Sequence, residues 1–126
     1  MNDANRHKKG MKLRKQVLGR AHVERAEARK NAFNAPFQDL ITRYAWGEIW
    51  TRPGLPKKTR SLLTIAMMVA LNRTDELRLH LRASANAGVS RQEIQEVLLQ
   101  TAIYCGVPAA NHAFQVAEEV FAEARR

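Results

Sequence analysis

The stretch KKTRSLLTIAMMVAL, residues 57–71, decides the fold class that the sequence predicts. Nine of the ten residues from 62 to 71 are apolar, so apolar side chains would cover most faces of a helix formed here. A helix of this kind is expected where other helices surround it. We therefore predict that residues 57–71 form the central helix of a helical core.

The segments on either side of this stretch show the apolar spacing and the end signals of further helices. No segment alternates between apolar and polar residues as a half-buried strand would. The predicted boundary residues are Asn34 as a cap with Pro36 in the first turn, Pro53 and Gly54 as a stop, Thr74 or Asp75 as a cap, Gly88, the capping box of Ser90 and Glu93, Gly106, and Pro108. The predicted apolar face of the helix after Pro36 consists of Phe37, Leu40, Ile41, Tyr44 and Ala45. The sequence thus predicts an all-α fold of about six helices.

Length and composition limit the class of protein. A chain of 126 residues with 45% hydrophobic residues suits one domain with a modest core. No apolar stretch approaches the roughly 20 residues that cross a bilayer, and the first residues lack the apolar middle of a secretion signal, so we expect a cytoplasmic protein. The single cysteine, Cys105, excludes an intrachain disulfide and a dithiol redox centre within one chain. We expect it to pack as a small hydrophobic side chain.

The net charge of +9 is concentrated at the N-terminus. Residues 1–30 contain ten Lys or Arg and three acidic residues, a net charge of +7, whereas residues 31–126 carry only +2. We therefore predict a basic helical N-terminal arm, residues 1–30, followed by one helical structural unit, residues 31–126. Because no aromatic residue lies among these basic residues, we favour packing on acidic surfaces of neighbouring subunits over binding to nucleic acid.

A second stretch, ITRYAWGEIWTRPGLPKKTR at residues 41–60, has the composition of a ligand site. Both tryptophans of the chain lie here, together with Tyr44 and several arginines. Aromatic surfaces beside cations can hold a carboxylate. The stretch therefore predicts a site for a small anionic ligand, with Tyr44, Trp46, Arg52 and Arg60 as binding residues.

Arg60 belongs to a cluster of cations in the first turn of the predicted central helix, together with Lys57 and Lys58. Cations at a helix N-terminus are unfavourable by about 0.3–1 kcal/mol each, so a negative group is expected to offset them. We favour a bound carboxylate for Arg60, with help from Arg52, and a salt bridge to a neighbouring subunit for Lys57 and Lys58.

Glu48 has two interpretations, which the sequence leaves equally open. Because Glu48 lies between Trp46 and Trp50 in the sequence, it could serve as a general acid or base. Alternatively, Glu48 forms an ordinary ion pair with Arg52, four residues later on the same helix.

Five segments of the chain, taken in this order, resemble segments of a known protein family. They are ITRYAWGEIWTRPGL at 41–55, TRSLLTIAMMVALNR at 59–73, ELRLHLRAS at 76–84, GVSRQEIQEVLLQ at 88–100 and YCGVPAANHAF at 104–114. Over nearly its whole length the chain resembles the γ-carboxymuconolactone decarboxylase family. The resemblance implies the helical fold of the AhpD-like alkylhydroperoxidases and a ring-shaped homo-oligomer, typically a hexamer.

The resemblance also implies an activity, that of a carboxy-lyase in protocatechuate degradation by the β-ketoadipate pathway. The implied reaction converts 4-carboxymuconolactone to 3-oxoadipate enol-lactone and CO2. Because the ring and its lactone carbonyl can accept the electrons that CO2 leaves behind, the reaction needs no cofactor and no metal. The enzyme must hold the second carboxylate, stabilise the carbonyl oxygen and protonate carbon.

Histidines and Glu48 are the candidates for proton transfer, and His80 is the leading one. On a helical wheel His80 borders the apolar stripe of Leu77 and Leu81; the alternative for His80 is a hydrogen-bonded packing residue. For His112, packing and substrate contact are equally open. The four histidines, at positions 7, 22, 80 and 112, lack the spacing of metal ligands, so no zinc or iron site is predicted.

Two other functions are alternatives. The peroxidases that share the implied fold use a Cys-x-x-Cys pair shortly before a histidine, but residues 73–76, ahead of His80, contain no sulfur. A single-cysteine redox protein that uses Cys105 is therefore the second hypothesis. A basic oligomer that binds nucleic acid is the third.

Overall fold

The computed structural model describes residues 2–124, which form helices joined by short turns and contain no strand. The helices are α1 (Asp3–Leu18), α2 (Arg20–Ala28), α3 (Ala35–Leu40), a π-helix (Ile41–Ile49), α4 (Lys57–Ala70), α5 (Thr74–Ala83), a 3₁₀-helix (Ser84–Ala87), α6 (Arg91–Tyr104) and α7 (Val107–Glu123). The predicted all-α class is confirmed.

The described residues contain seven α-helices instead of about six, for a local reason. Gly19 has a positive φ of 92°, a conformation that favours glycine, and it divides the predicted arm into α1 and α2.

The chain divides into two compact units, of which the first ends at Pro56 and the second begins at Lys57. The sequence placed a boundary after residue 30 and treated residues 31–126 as one unit. In the structure residues 31–56 lie in the same compact unit as the basic arm. The first unit contains α1, α2, α3 and the π-helix, and the second contains α4 to α7.

In the first unit α1 packs along the π-helix, and the two backbones are closest at two glycines. A Cβ atom on Gly10 would collide with the carbonyl oxygen of Thr42 and would lie 2.8 Å from the backbone nitrogen of Gly47. A Cβ atom on Gly47 would collide with the carbonyl oxygen of Arg6. The two helices can approach this closely only because both positions lack a side chain.

The apolar core of the first unit lies beside this contact. Leu13 and Val17 of α1 are buried against Trp46, and the indole rings of Trp46 and Trp50 stack with their centroids 4.8 Å apart. Both tryptophans of the chain therefore report on the packing of this unit.

The segment after Asn34 differs from the prediction at two points. The Asn34 side chain does not cap α3; its Oδ1 atom accepts a hydrogen bond from the backbone N–H of Asn31 at 2.8 Å. Three residues of the predicted apolar face, Phe37, Leu40 and Tyr44, are 60%, 48% and 41% exposed. The π-helix adds a residue to each turn, and it buries Thr42, Trp46 and Gly47 instead.

Lys30, which follows α2, pairs with acidic groups of α2 and α3, and His7 of α1 lies beside the same carboxylate of α3. Lys30 Nζ lies 2.6 Å from Asp39 Oδ1 and 3.5 Å from Glu27 Oε2, and His7 Nε2 lies 3.6 Å from Asp39 Oδ1. The hydrogen bond from Lys30 holds the pKa of the Asp39 carboxyl below its usual value. Residues of the basic arm are thus paired with acidic groups of the same chain.

In the second unit α4 contacts α5, α6 and α7 around a core that includes Ile65, Leu98 and Val116. Most of the predicted end signals are confirmed. Gly88 has a left-handed conformation with φ 79°, both hydrogen bonds of the capping box of Ser90 and Glu93 are present, and Gly106 has φ 102° before α7. The predicted cap of α5 is wrong, because Thr74 is already helical and Arg73 precedes it without a side-chain cap.

One face of α4 is buried in the core, as predicted for a central helix, and another face is exposed on the isolated chain. Ser61, Ile65 and Val69 are buried, whereas Leu63 and Met67 are 43% and 53% exposed on the chain surface. No helix within residues 2–124 is both long enough and apolar enough to cross a membrane.

We predict that replacing Gly10 by alanine destabilises the first unit by about 1–3 kcal/mol or more, because the added methyl group meets backbone atoms that cannot turn away. The matched control is Gly54→Ala, since no atom lies within 4 Å of a Cβ at that position; its effect should stay within about 0.5 kcal/mol. Denaturant titration followed by tryptophan fluorescence measures both. Equal stabilities of the two variants would contradict the close backbone contact.

Candidate functional site

Three of the candidate residues lie on the π-helix, at every second position of the chain: Tyr44, Trp46 and Glu48. It ends where the backbone N–H of Trp50 donates to the carbonyl of Ala45 at 2.9 Å, a bond across five residues. Such helices are rare and frequently occur at functional sites, because the wider turn redirects side chains. The sequence predicted an ordinary α-helix here and gave no signal for the wider turn.

Glu48 forms an ion pair with a residue of the arm. The Nε atom of Arg6 donates a hydrogen bond to Oε2 of Glu48 at 3.1 Å, and the Nη1 atom of Arg6 lies 2.8 Å from Oδ1 of Asp3. The hydrogen bond to Glu48 raises the pKa of Arg6. Sequence reasoning considered only Arg52 as a partner, since a pairing across 42 residues has no local pattern. The role of Glu48 as an acid or base stays a prediction.

A second arginine of α1, Arg14, is buried at the junction of α3 and the π-helix. Its guanidinium donates to Thr42 Oγ1 at 3.3 Å and to Gln38 Oε1 at 3.1 Å, and Glu27 lies 4.0 Å away. Burial lowers the pKa of Arg14. Arg14 therefore links α1 to Gln38 of α3 and to Thr42 of the π-helix. No pattern in the sequence predicted this contact.

The predicted binding residues of the first unit have different surroundings. Trp46 is only 6% exposed and belongs to the core, stacked on Trp50. Tyr44 is exposed, and the guanidinium carbons of Arg6 and Arg43 lie 5.7 and 6.0 Å from the centre of its ring. Arg52 is exposed. The side chains of Tyr44 and Arg52 are therefore accessible to a ligand. Substrate contact by Tyr44, Trp46 and Arg52 stays a prediction.

In the second unit His80 lies on α5, where the neighbouring positions Leu77 and Leu81 are buried. The His80 residue is half-buried, and its Nδ1 atom is shielded from solvent. This position matches the helix edge that the sequence indicated. The His80 residue is thus partly shielded by the protein and keeps partial access to solvent.

Arg60 and Lys58 occupy the first turn of α4, as predicted. Arg60 is half-buried, with its Nε atom shielded from solvent. Lys58 Nζ lies 2.8 Å from Glu93 Oε2 of α6, so Lys58 has a negative partner within its own chain. That hydrogen bond lowers the pKa of Glu93. A contact of Lys57 or Lys58 with a neighbouring subunit stays a prediction.

His112 contacts the first residue of α5. Its Nε2 atom lies 3.0 Å from Oγ1 of Thr74, and both groups are near the surface. His112 is exposed, and this hydrogen bond does not decide between the two roles that the sequence left open. Substrate contact by His112 stays a prediction.

Cys105 is exposed after the last turn of α6, so the prediction that it packs as a small hydrophobic residue is wrong. It lies at a groove of about 410 Å³ between α4 and α6 that also includes Leu63, Met67 and Tyr104. Within residues 2–124 no group of three or more His, Cys, Asp or Glu side chains could hold a metal ion.

The structure therefore places the candidate residues in two sets. Tyr44, Trp46 and Glu48 lie on the π-helix of the first unit, with Arg52 shortly after it. Arg60, His80 and His112 lie on α4, α5 and α7 of the second unit, helices that pack against one another. Sequence reasoning missed the two arginines of α1, Arg6 and Arg14, which hold the π-helix.

Comparison with known proteins gives a family match. Residues 35–119 match the model of the carboxymuconolactone decarboxylase family. The matched range begins at α3 and ends in α7, so it includes all seven candidate residues.

Three curated relatives carry functional names. The chain is 54% identical over 121 residues to the 4-carboxymuconolactone decarboxylase of Acinetobacter baylyi. The matched region covers 96% of this chain and 90% of that protein. It is 44% identical over 110 residues to nitrosuccinic acid decarboxylase npaB of Metarhizium robertsii, covering 87% and 77% of the two chains. A third relative, the 4-carboxymuconolactone decarboxylase of Pseudomonas putida, is 46% identical over 48 residues, 38% of this chain and 100% of that sequence.

Proposed function

The chain belongs to the carboxymuconolactone decarboxylase family, and we propose that it converts 4-carboxymuconolactone to 3-oxoadipate enol-lactone and CO2. One observation carries the proposal: 54% identity, extending over 96% of the chain, to a protein named for that reaction. The reaction belongs to the degradation of protocatechuate through the β-ketoadipate pathway. The proposal includes a cytoplasmic location.

The chemistry of this substrate explains what the protein must supply. The compound is an unsaturated five-membered lactone with one carboxylate on the ring and another on a side arm. When the ring carboxylate leaves as CO2, its electron pair spreads through the ring double bond onto the lactone carbonyl oxygen. The protein has to bind the remaining carboxylate, stabilise the charged oxygen and deliver a proton to carbon. No cofactor is required for any of these steps.

Within the second unit, Arg60 and His80 fit two of these tasks. Arg60 lies in the first turn of α4, where the helix dipole adds to its positive charge, and we assign it to the spectator carboxylate. His80 lies on α5, which packs against α4, and we assign it to proton transfer. His112 is the further substrate contact that the sequence predicted. It lies beside Thr74, near the C-terminal end of α4, whereas Arg60 lies at the N-terminal end of that helix.

Within the first unit, Glu48 is the second proton-transfer group of the proposal. Its side chain is 40% exposed, and its charge is compensated by Arg6. Tyr44 and Arg52 are exposed and are assigned to substrate binding. Trp46, the third predicted binding residue, is buried in the core of this unit, so it has little surface for a ligand.

The second relative defines a second candidate substrate. Nitrosuccinic acid also has two carboxyl groups, and its nitro group can accept the electron pair that CO2 leaves. The 44% identity to the protein named for its decarboxylation supports this candidate less than the 54% identity supports the lactone. The ratio of kcat/KM for the two compounds, measured as CO2 released, decides between them.

The other two functions that the sequence left open have less support. Cys105 is exposed, but it is the single cysteine of the chain, so a redox cycle would need a thiol from another molecule. Several basic residues of the arm, Arg6, Arg14 and Lys30, are engaged with groups of the same unit. The first fact counts against the redox protein and the second against the nucleic-acid-binding oligomer.

We predict that His80→Ala lowers kcat for 4-carboxymuconolactone by about 10²–10⁴-fold, because the carbanionic intermediate loses its proton donor. The control is His22→Gln, a change at an arm histidine outside the proposed site, which should leave kcat unchanged. Ultraviolet absorbance of the lactone gives the rate, and circular dichroism checks that both variants remain helical. A kcat of His80→Ala within threefold of that of the unaltered chain would remove His80 from the mechanism.

We also propose that copies of this chain assemble into a homo-oligomer, with a hexamer as the expected form. Large apolar side chains of α4, of the turn after it, of α6 and of the start of α7 are exposed on the isolated chain: Leu63, Met67, Leu71, Leu99, Ile103, Tyr104 and Val107. Three of them, Leu63, Met67 and Tyr104, line one groove between α4 and α6, and soluble monomers rarely expose a large contiguous apolar patch. A second copy of the chain is the partner that the proposal assigns to this surface.

For the assembly we predict that the unaltered chain has a mass in solution several times the 14.3 kDa of one copy. We predict a lower mass for the variant Met67→Glu, because its new charge would be buried at the interface without a partner. The matched control, Gln115→Glu, adds a carboxylate at an exposed position of α7 outside this surface and should keep the mass of the unaltered chain. Light scattering on the eluate of a sizing column measures all three. An unaltered chain that elutes as a monomer would contradict the proposed assembly.

A further inference from the structure

Arg6 connects the basic arm to the candidate proton-transfer group of the first unit. Its guanidinium lies between two carboxylates, with Nε 3.1 Å from Glu48 and Nη1 2.8 Å from Asp3. The same guanidinium lies 5.7 Å from the centre of the Tyr44 ring. One side chain of α1 thus contacts two candidate residues of the π-helix at once.

The backbone fixes where this side chain can reach. Gly47, the residue before Glu48, approaches the carbonyl oxygen of Arg6 so closely that a Cβ atom would collide with it. Gly10, one turn after Arg6 on α1, makes the corresponding contact with Thr42. Because both ends of this short span are held by backbone contacts, the guanidinium of Arg6 and the carboxylate of Glu48 cannot shift along the two helices independently.

The pair is also less exposed than a second ion pair of the arm. The side chain of Arg6 is 24% exposed and that of Glu48 is 40% exposed, whereas the ordinary surface pair Arg20–Glu24 is 78% and 60% exposed. Exposed pairs are weak and mobile because water and salt screen them. Three separate contacts on Arg6 further restrict its rotamers.

We propose that Arg6 is a positioning residue for the decarboxylation: it does not touch the substrate but holds the Glu48 carboxylate in the orientation that proton transfer requires. The inference rests on the proposed function and on the role of Glu48 within it. Its physical reason is that a catalytic group displaced by about 1 Å can lose about 10²-fold in rate. A rigid partner of opposite charge prevents that displacement.

A double-mutant cycle tests whether Arg6 acts through Glu48. The variants are Arg6→Met, Glu48→Gln and the two together, with Arg6→Lys as the conservative change and Arg20→Met as the matched control. We expect Arg6→Met to lower kcat by about 10–100-fold with little change in KM, Arg6→Lys to recover part of the loss, and Arg20→Met to keep the unaltered rate. In the Glu48→Gln background the Arg6→Met change should cost no further activity, because the group that it positions is already absent.

The outcomes separate this inference from the function on which it rests. An unaltered chain without decarboxylase activity would overturn the proposed function and this inference with it. If the unaltered chain is active but Glu48→Gln keeps full kcat, the positioning role is overturned while the decarboxylase stands. Equal losses from Arg6→Met with and without Glu48 would also overturn it, since a general structural effect gives additive losses. Tryptophan fluorescence of each variant monitors the packing of this unit during the test.

Discussion

The close contact between α1 and the π-helix is the constraint on which the first unit depends. Two glycines, Gly10 and Gly47, let the backbones approach to a distance that any side chain would prevent. This approach brings Arg14 over the junction of α3 and the π-helix and brings Arg6 beside Glu48. Arg6 and Arg14 of α1 thus contact side chains of the π-helix in the protein without a ligand, and these contacts restrict the directions in which those side chains point.

The same contact changes how the charge of the N-terminal arm is understood. A net charge of +7 on thirty residues could mean a surface for an anionic polymer. In the structure, however, Arg6, Arg14 and Lys30 form ion pairs or hydrogen bonds with groups of their own unit. These cations hold helices together and position a carboxylate.

The sequence was sufficient for the features that depend on local patterns. The helical class, the capping box of Ser90 and Glu93 and the glycine ends at Gly88 and Gly106 follow from spacing and from residue chemistry, and all of them are confirmed. The position of His80 at the edge of α5 follows from helical periodicity. The same reasoning failed where distant segments meet. The π-helix, the partner of Glu48 and the burial of Arg14 depend on the packing of α1, which no local pattern contains.

The central claim is that this chain removes CO2 from a lactone dicarboxylate with fixed charges and a proton donor alone, because the substrate accepts its own electrons. The most direct measurement is the amount of CO2 released per molecule of 4-carboxymuconolactone consumed by protein that has been dialysed against a metal chelator. The account predicts one CO2 per lactone at a kcat equal to that of the untreated protein. Folded, assembled protein that leaves the lactone intact after this treatment, and regains activity only when a metal ion or an organic cofactor is added, would contradict it.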